Sequence, residues 1–252
     1  MEPHNPRYNV IGHGYARFRR EDPQIRRRIH AALGDSRTVI NVGAGAGSYE
    51  PGDRWVLAVE PSDVMAAQRP PSRTPALRAS AERLPLRDDA VDASMAILTV
   101  HHWDEAREAG VRELRRVARE RVVILTYDPA VSGALWLMAD YLPEVAELDH
   151  ITFPPIGVLA EWLGGHVDVE VVPLARDTPD WMLGAVWGHP ERVLDAEARA
   201  ATSGFSRMSA PVVDRVVAAL ARDLADGTWD RRHGHLRALD ARDVGLRLLI
   251  AR

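Results

Sequence analysis

The sequence predicts an α/β fold: a largely parallel sheet covered by helices on both faces, in one domain that carries helical insertions. Three observations lead there. In the first half, short β-rich apolar runs alternate with segments of helical periodicity, the order that right-handed βαβ units generate. Several of these runs are apolar at consecutive positions, as in strands buried on both faces. The chain has 252 residues, 46% hydrophobic and 27% charged, which suits one domain with insertions better than two full domains.

Taken in order, strands are expected at Thr38–Val42, which runs into glycines, at Trp55–Val59, at Ala76–Ala79 and at Val91–Leu98, which ends in a histidine pair. A fifth follows at Val122–Tyr127, a sixth at Val167–Val172 and a seventh at Leu246–Ala251. Helical patterns occupy Pro23–Leu33, Asp63–Gln68 and Glu105–Ala118; in the last, Val111, Leu114 and Val117 recur at helical spacing. Ser132–Leu142 and Val158–Leu163 also read as helices, and Gly164–Gly165 and Asp226–Gly227 mark turns. A connection of about 70 residues separates the last two strands, with helices expected at Ala185–Leu194 and Pro211–Ala225. Helical lid segments are expected at approximately 1–33, 130–165 and 185–240.

Composition excludes several chemistries. The 32 basic residues are all arginine, against 36 acidic ones, for a net charge of −4. That balance leaves no electrostatic footprint for nucleic acid. Without lysine there is no Schiff-base amine and no P-loop lysine. Without cysteine there is no disulfide, thiolate nucleophile or cysteine-held metal. The apolar run Ala134–Ala139 is far too short to span a bilayer, and MEPHNPRYN carries no apolar leader. The expectation is a cytoplasmic protein, monomer or homodimer, with a small-molecule partner, no nucleic acid and no membrane span.

The first chemical signal is Val39-Ile40-Asn41-Val42-Gly43-Ala44-Gly45-Ala46-Gly47, a strand entering a glycine-rich turn. Glycines let a ligand approach the main chain closely. Alone, such a loop serves equally as a tight connection. The next strand, however, ends Ala58-Val59-Glu60, and a carboxylate there can accept from both hydroxyls of a ribose. Loop and acid at matching places in consecutive βα units favour a nucleoside cofactor. A dinucleotide fingerprint needs G-x-G-x-x-G, whereas here the third glycine comes one residue early, at Gly47.

With these residues in place the sequence resembles the class I S-adenosylmethionine-dependent methyltransferases, in the branch of the ubiquinone/menaquinone and trans-aconitate enzymes. VINVGAGAG resembles the family's first motif and AVEPSDVM its second. ASAERLPLRDDAVD resembles the adenine segment, and VHHWDE followed by ELRRVA resembles the loop and helix after the fourth strand. The resemblance covers about residues 8–128 and is strongest over 38–117. It implies a Rossmann-like, doubly wound seven-stranded sheet of order 3-2-1-4-5-7-6 with the last strand antiparallel. It also implies S-adenosylmethionine as cofactor and S-adenosylhomocysteine as product. By position, Gly43, Ala44 and Gly45 would approach the methionine portion. Glu60 would hold the ribose, with Pro61 and Ser62 beside it. Met65, Ala81 and Glu82 would lie along the adenine, and Leu98 and Thr99 under the methionine end. Tyr15 and Arg20 resemble a lid that meets the methionine carboxylate. Asn41 and Ser80 depart from the acidic residues common in the family, and the usual turn before the fifth strand is shortened to Ala118–Arg121.

For the chemistry, His101 and His102 follow the fourth strand and titrate near neutral pH, so either suits proton removal from an acceptor. His101 is the preferred base; a packing or capping role competes with it. Asp128 ends the fifth strand and either orients the acceptor or caps the next turn. His233 and His235 do not complete a metal site, and no metal is expected. The aromatic residues of the second half (Trp136, Tyr141, Phe153, Trp162, Trp181 and Trp187) and Met138 pack the insertions, with two or three expected to touch the acceptor. The expected function is methyl transfer to a small molecule, in specialised metabolism. The alternatives are a non-methylating catalyst or a regulatory binding protein on the same fold.

Overall fold

The computed structural model describes residues 19–252. Its sheet has seven strands in the order β3-β2-β1-β4-β5-β9-β6. These are β1 (Thr38–Val42), β2 (Trp55–Val59), β3 (Ala76–Leu77), β4 (Val91–Ile97), β5 (Ala118–Tyr127), β6 (Val167–Val171) and β9 (Leu246–Ala251). β1 pairs in parallel with β2 and β4, and β4 with β5; β9 runs antiparallel to both β5 and β6. The expected topology is therefore present. A separate two-residue pair, β7 (Leu174–Ala175) with β8 (Ala241–Arg242), makes the last strand the ninth rather than the seventh.

Two apolar layers follow from the alternation of side chains along the strands. Val39, Met95, Val123, Leu125 and Leu248 face one side, where α1 (Pro23–Ala32) brings Ile25 and Ile29. Ile40, Ala96, Val122, Ile124 and Leu249 face the other, against Val111, Leu114 and Val117 of α3 (Arg107–Val117). Helix α1 starts where Asp22 accepts from the N–H groups of Gln24 and Ile25 with Pro23 in the first turn. Of the segments expected in lids, α1 and α6 (Ile156–Leu163) instead cover the sheet: Leu159 and Leu163 bury against the second layer. Their apolar stripes need the sheet more than an open site.

Other elements depart from the sequence reading for local reasons. Ala118–Arg121, expected as a turn, are the first residues of β5, which follows α3 directly and pairs with β4 through a register shift between Val91–Ala118 and Ala93–Arg121. Ser132–Leu142 is not one helix. Gly133 closes the short α4 (Pro129–Ser132), a single π turn covers Leu137–Tyr141, and Pro143 opens α5 (Pro143–Thr152). Ala185–Leu194 is split into two 3-10 turns, Leu183–Val186 and Pro190–Leu194, because Pro190 cannot continue a helix. No helix among the described residues is long and apolar enough to cross a membrane.

Short helices α2 (Asp63–Ala66), α7 (Ala196–Ala200) and α8 (Ser203–Ser206), then α9 (Ala210–Ala225) and α10 (Thr228–His233), complete the chain. The parallel strands all end on one edge. The glycine loop after β1, Glu60 after β2, the histidines after β4 and Asp128 after β5 therefore share one rim.

Candidate functional site

The glycine loop folds back on the end of β2. The N–H groups of Gly43 and Ala44 both donate to the Val59 carbonyl, at 2.9 and 3.0 Å. Gly43 takes φ +69°, and a Cβ there would lie 2.1 Å from Thr99 Oγ1. Glu60 is buried beside the loop, and its carboxylate accepts from the N–H groups of Gly45 and Ser62, each at 2.8 Å. Burial pushes the Glu60 carboxyl above its ordinary range, and those two donors oppose the shift. Each carboxylate oxygen retains capacity for a further hydrogen bond.

In front of the loop lies an open cleft of about 870 Å³. Gly43, Ala44, Gly45, Glu60, Pro61 and Met65 line it, with Leu98, Thr99 and Arg20 opposite. Three residues expected there do not line it. Ser62 is buried as the N-cap of α2, its Oγ accepting from Met65 N–H at 3.3 Å. Ala81 is held in the second apolar layer beside Gly110 of α3. Glu82 is exposed, accepting from Ser80 Oγ at 2.8 Å. Tyr15 lies outside the described residues.

A second cavity, about 760 Å³, adjoins the first and shares Arg19, Leu98 and His102 with it. His101 lines only this second cavity, its ring stacked on Phe153 at 4.1 Å and 3.8 Å from the His102 ring. Burial is the main cause that holds the His101 imidazole well below its ordinary pKa, and the neighbouring His102 adds to it, so the ring is neutral at neutral pH. Asp128 lines neither cavity. It caps α4 by accepting from Ala130 N–H at 3.1 Å and lies 3.9 Å from Arg247. The capping role thus takes the place of the catalytic one. Of the aromatic and methionine set, Phe153 and Met138 line the cavity. Trp136 and Tyr141 pack edge to face, Trp187 is buried in the core, and Trp181 lies under Arg192. His233 hydrogen-bonds to Asp140 at 2.7 Å.

The family of the methyltransferase domain matches residues 40–126. A crystal structure described as a methyltransferase from an antibiotic biosynthesis pathway of Anabaena variabilis is 30% identical. The alignment covers 94% of this chain and 100% of that one, with a TM-score of 0.86. This chain belongs to the class I S-adenosylmethionine-dependent methyltransferases. Two more distant structures share the fold. A Thermotoga maritima methyltransferase is 20% identical over 69% of this chain and 82% of its own, with a TM-score of 0.50. A Haemonchus contortus phosphoethanolamine N-methyltransferase is 12% identical over 97% of this chain and 55% of its own, with a TM-score of 0.57. No curated protein matches the chain.

The methyltransferase braces its glycine loop with residues that sequence reasoning missed. Arg69 donates to both oxygens of Glu50 at 2.9 and 2.8 Å and to the Gly45 carbonyl at 3.3 Å. Asn41 donates its amide to Glu50 at 3.0 Å, which ties β1 to the same buried pair. Asp180 borders the same cleft, paired with Arg19 at 2.5 Å and accepting from the Tyr49 hydroxyl at 3.4 Å. Burial raises the pKa of both Asp180 and Tyr49. Glu50, just after the glycines, was the one visible signal; Asp180 lies 161 residues from Arg19 and carried none.

Proposed function

We propose that this methyltransferase moves the methyl group of S-adenosylmethionine to a small molecule bound in the second cavity, in specialised metabolism. The observation that carries the reading is the shared border of Leu98, His102 and Arg19, which opens the cofactor cleft onto a chamber of mixed apolar and polar lining. The residues of the cleft fit the cofactor. Gly43 lets the loop close on Thr99, Gly45 leaves its side of the cleft without a Cβ, Glu60 has lone pairs for ribose hydroxyls, and Pro61 and Met65 offer an apolar edge for adenine. When bound, the cofactor supplies an electrophilic methyl on a sulfonium. The protein's task is then to hold the acceptor in line and exclude water, and orientation of this kind supplies much of a rate enhancement. The Anabaena relative's pathway supports the metabolic setting.

Two measurements test the cofactor half. Calorimetry is expected to give a micromolar dissociation constant for S-adenosylmethionine or S-adenosylhomocysteine, about −8 kcal/mol, and no comparable binding of NAD. Glu60→Ala is expected to weaken that binding by about 1.5–3 kcal/mol, the range for hydrogen bonds to a charged group. NAD binding as tight as S-adenosylmethionine, or unchanged affinity in the variant, would contradict the site. Incubation with labelled cofactor and a panel of phenols, acids and amines tests the acceptor half. Label transferred to none of them, by protein that binds the cofactor, would count against a small-molecule acceptor.

A further inference from the structure

The second cavity carries polar groups that its own walls leave unsatisfied. Three buried atoms on its lining make no well-aligned hydrogen bond among the described residues: His101 Nδ1, Ser132 Oγ and the Tyr127 hydroxyl, which lies against the Gly184 backbone. A buried polar atom without a partner is costly, and three around one chamber point to a ligand that completes them. Asp149 lies on the same lining. It sits one helical turn before Phe153, whose N–H donates to the Asp149 carbonyl at 2.8 Å. The carboxyl and the Phe153 ring therefore share the side of α5 that borders the cavity. The Asp149 carboxyl makes no hydrogen bond or ion pair among the described residues, and much of the remaining lining is apolar: Leu98, Leu135, Met138, Met182 and Leu183.

We propose that Asp149 is the proton acceptor of this methyltransferase, acting on the phenol or enol hydroxyl of an acceptor whose other polar groups His101, Tyr127 and Ser132 hold by hydrogen bonds. This rests on reading the second cavity as the acceptor site. The bookkeeping of the step closes. The acceptor oxygen bonds to the methyl carbon as the carbon–sulfur bond breaks, and sulfur keeps that electron pair and loses its positive charge. The hydroxyl proton passes to the Asp149 carboxylate, which later releases it to solvent.

The surrounding charges support Asp149 over His101. Burial pushes the Asp149 carboxyl up to about 7, with Arg207 the facing cation that opposes the shift. The other titratable or charged groups around the chamber are His101, His102, Tyr127, Arg19 and Arg107. A base with a pKa near the working pH is the most effective one. His101, driven well below its ordinary range, is a weaker base and serves as a neutral hydrogen-bonding ring. Burial raises the Tyr127 pKa, so that hydroxyl keeps its proton and donates. An anionic acceptor would repel the Asp149 carboxylate in a low-dielectric site. An ammonium would pair with it but has no lone pair until its proton is gone. A hydroxyl oxygen has lone pairs throughout, so its proton can leave as the new bond forms.

The test compares wild type, Asp149→Asn, Asp149→Glu and His101→Asn on phenols and matched amines across pH. Wild-type turnover of a phenol should rise with pH through about 7, as Asp149 loses its proton, and then level off. Asp149→Asn should lose about 10²–10⁴-fold in turnover and also lose that limb, with cofactor affinity unchanged; Asp149→Glu should recover part of the rate. A readout free of turnover uses ¹³C-carboxyl-aspartate NMR with S-adenosylhomocysteine bound. One resonance should titrate near 7, vanish in Asp149→Asn and shift on addition of 4-methylphenol, a phenol that keeps its proton across this range. The proposal is overturned by a full rate and intact limb in Asp149→Asn, by loss of the limb in His101→Asn alone, or by methylation of amines only. A 4-methylphenol titration that leaves the Asp149 resonance in place overturns it too, while leaving the acceptor-site reading intact. Failure of wild type to methylate any compound tells against that reading instead.

Discussion

Arg69→Ala is expected to cost about 3–5 kcal/mol of folding stability, the usual penalty for leaving one member of a buried ion pair alone. The side chains of Arg69 and Glu50 are 4% and 1% exposed, and Glu50 has Asn41 as its other side-chain donor. Removing the guanidinium strands a carboxylate under the glycine loop and also frees the Gly45 carbonyl that Arg69 holds. Cofactor affinity should fall with stability, because Gly45 also donates to Glu60. Replacing both partners, as in Arg69→Met with Glu50→Leu, should be much milder than Arg69→Ala, since no lone charge remains buried. Urea denaturation of Arg69→Ala and of the double variant measures this. A loss below about 1 kcal/mol in Arg69→Ala, the size of a surface pair, would show that the pair does not brace the loop.

Gly43→Ala should damage both fold and cofactor binding. At φ +69° an L-residue pays about 1–2 kcal/mol for the left-handed backbone. Its Cβ would also stand 2.1 Å from Thr99 Oγ1 and 2.9 Å from Thr99 Cβ, an overlap that requires a shift of loop or strand end. Overpacking of this kind adds about 1–3 kcal/mol. Gly45→Ala pays a similar backbone cost, but its Cβ meets only the Met65 methyl at 3.3 Å, so it should be milder for the fold. Thr99→Ala on the Gly43→Ala background should restore part of the steric share and none of the backbone share. Thermal melts and calorimetry of the three proteins would decide the matter; wild-type stability and affinity in Gly43→Ala would rule out the loop geometry.

The strands were legible because each was written locally. Val122 to Leu125 are apolar at four consecutive positions, and the structure buries all four between the two helical layers. Gly43, Gly45 and Glu60 were legible for a similar reason: loop and acid follow consecutive strands, and parallel pairing of β1 with β2 brings their ends together. Helices in the insertions were harder. Ser132–Leu142 has helical periodicity, yet Gly133 and Pro143 break it, and Trp136 is fixed by donating its indole N–H to the Trp187 carbonyl 51 residues away.

What the sequence by itself determined is the sheet, its main helices and the glycine loop with Glu60 at one rim, since each depends on periodicity, glycine backbone freedom or the residue at a strand end. Only the tertiary structure decided the lining of the second cavity. Asp149 reads in sequence as one more acid on a helix, and becomes a half-buried carboxyl with a raised pKa because the fold sets it on the same cavity lining as Phe153 and Tyr127. His101 changes character the same way: loss of water, with the neighbouring His102, holds its imidazole well below the ordinary range. Asp180 reaches Arg19 and Tyr49 across 161 and 131 residues. Desolvation and long-range pairing are properties of packed neighbours, and neighbours distant along the chain leave no local pattern to read.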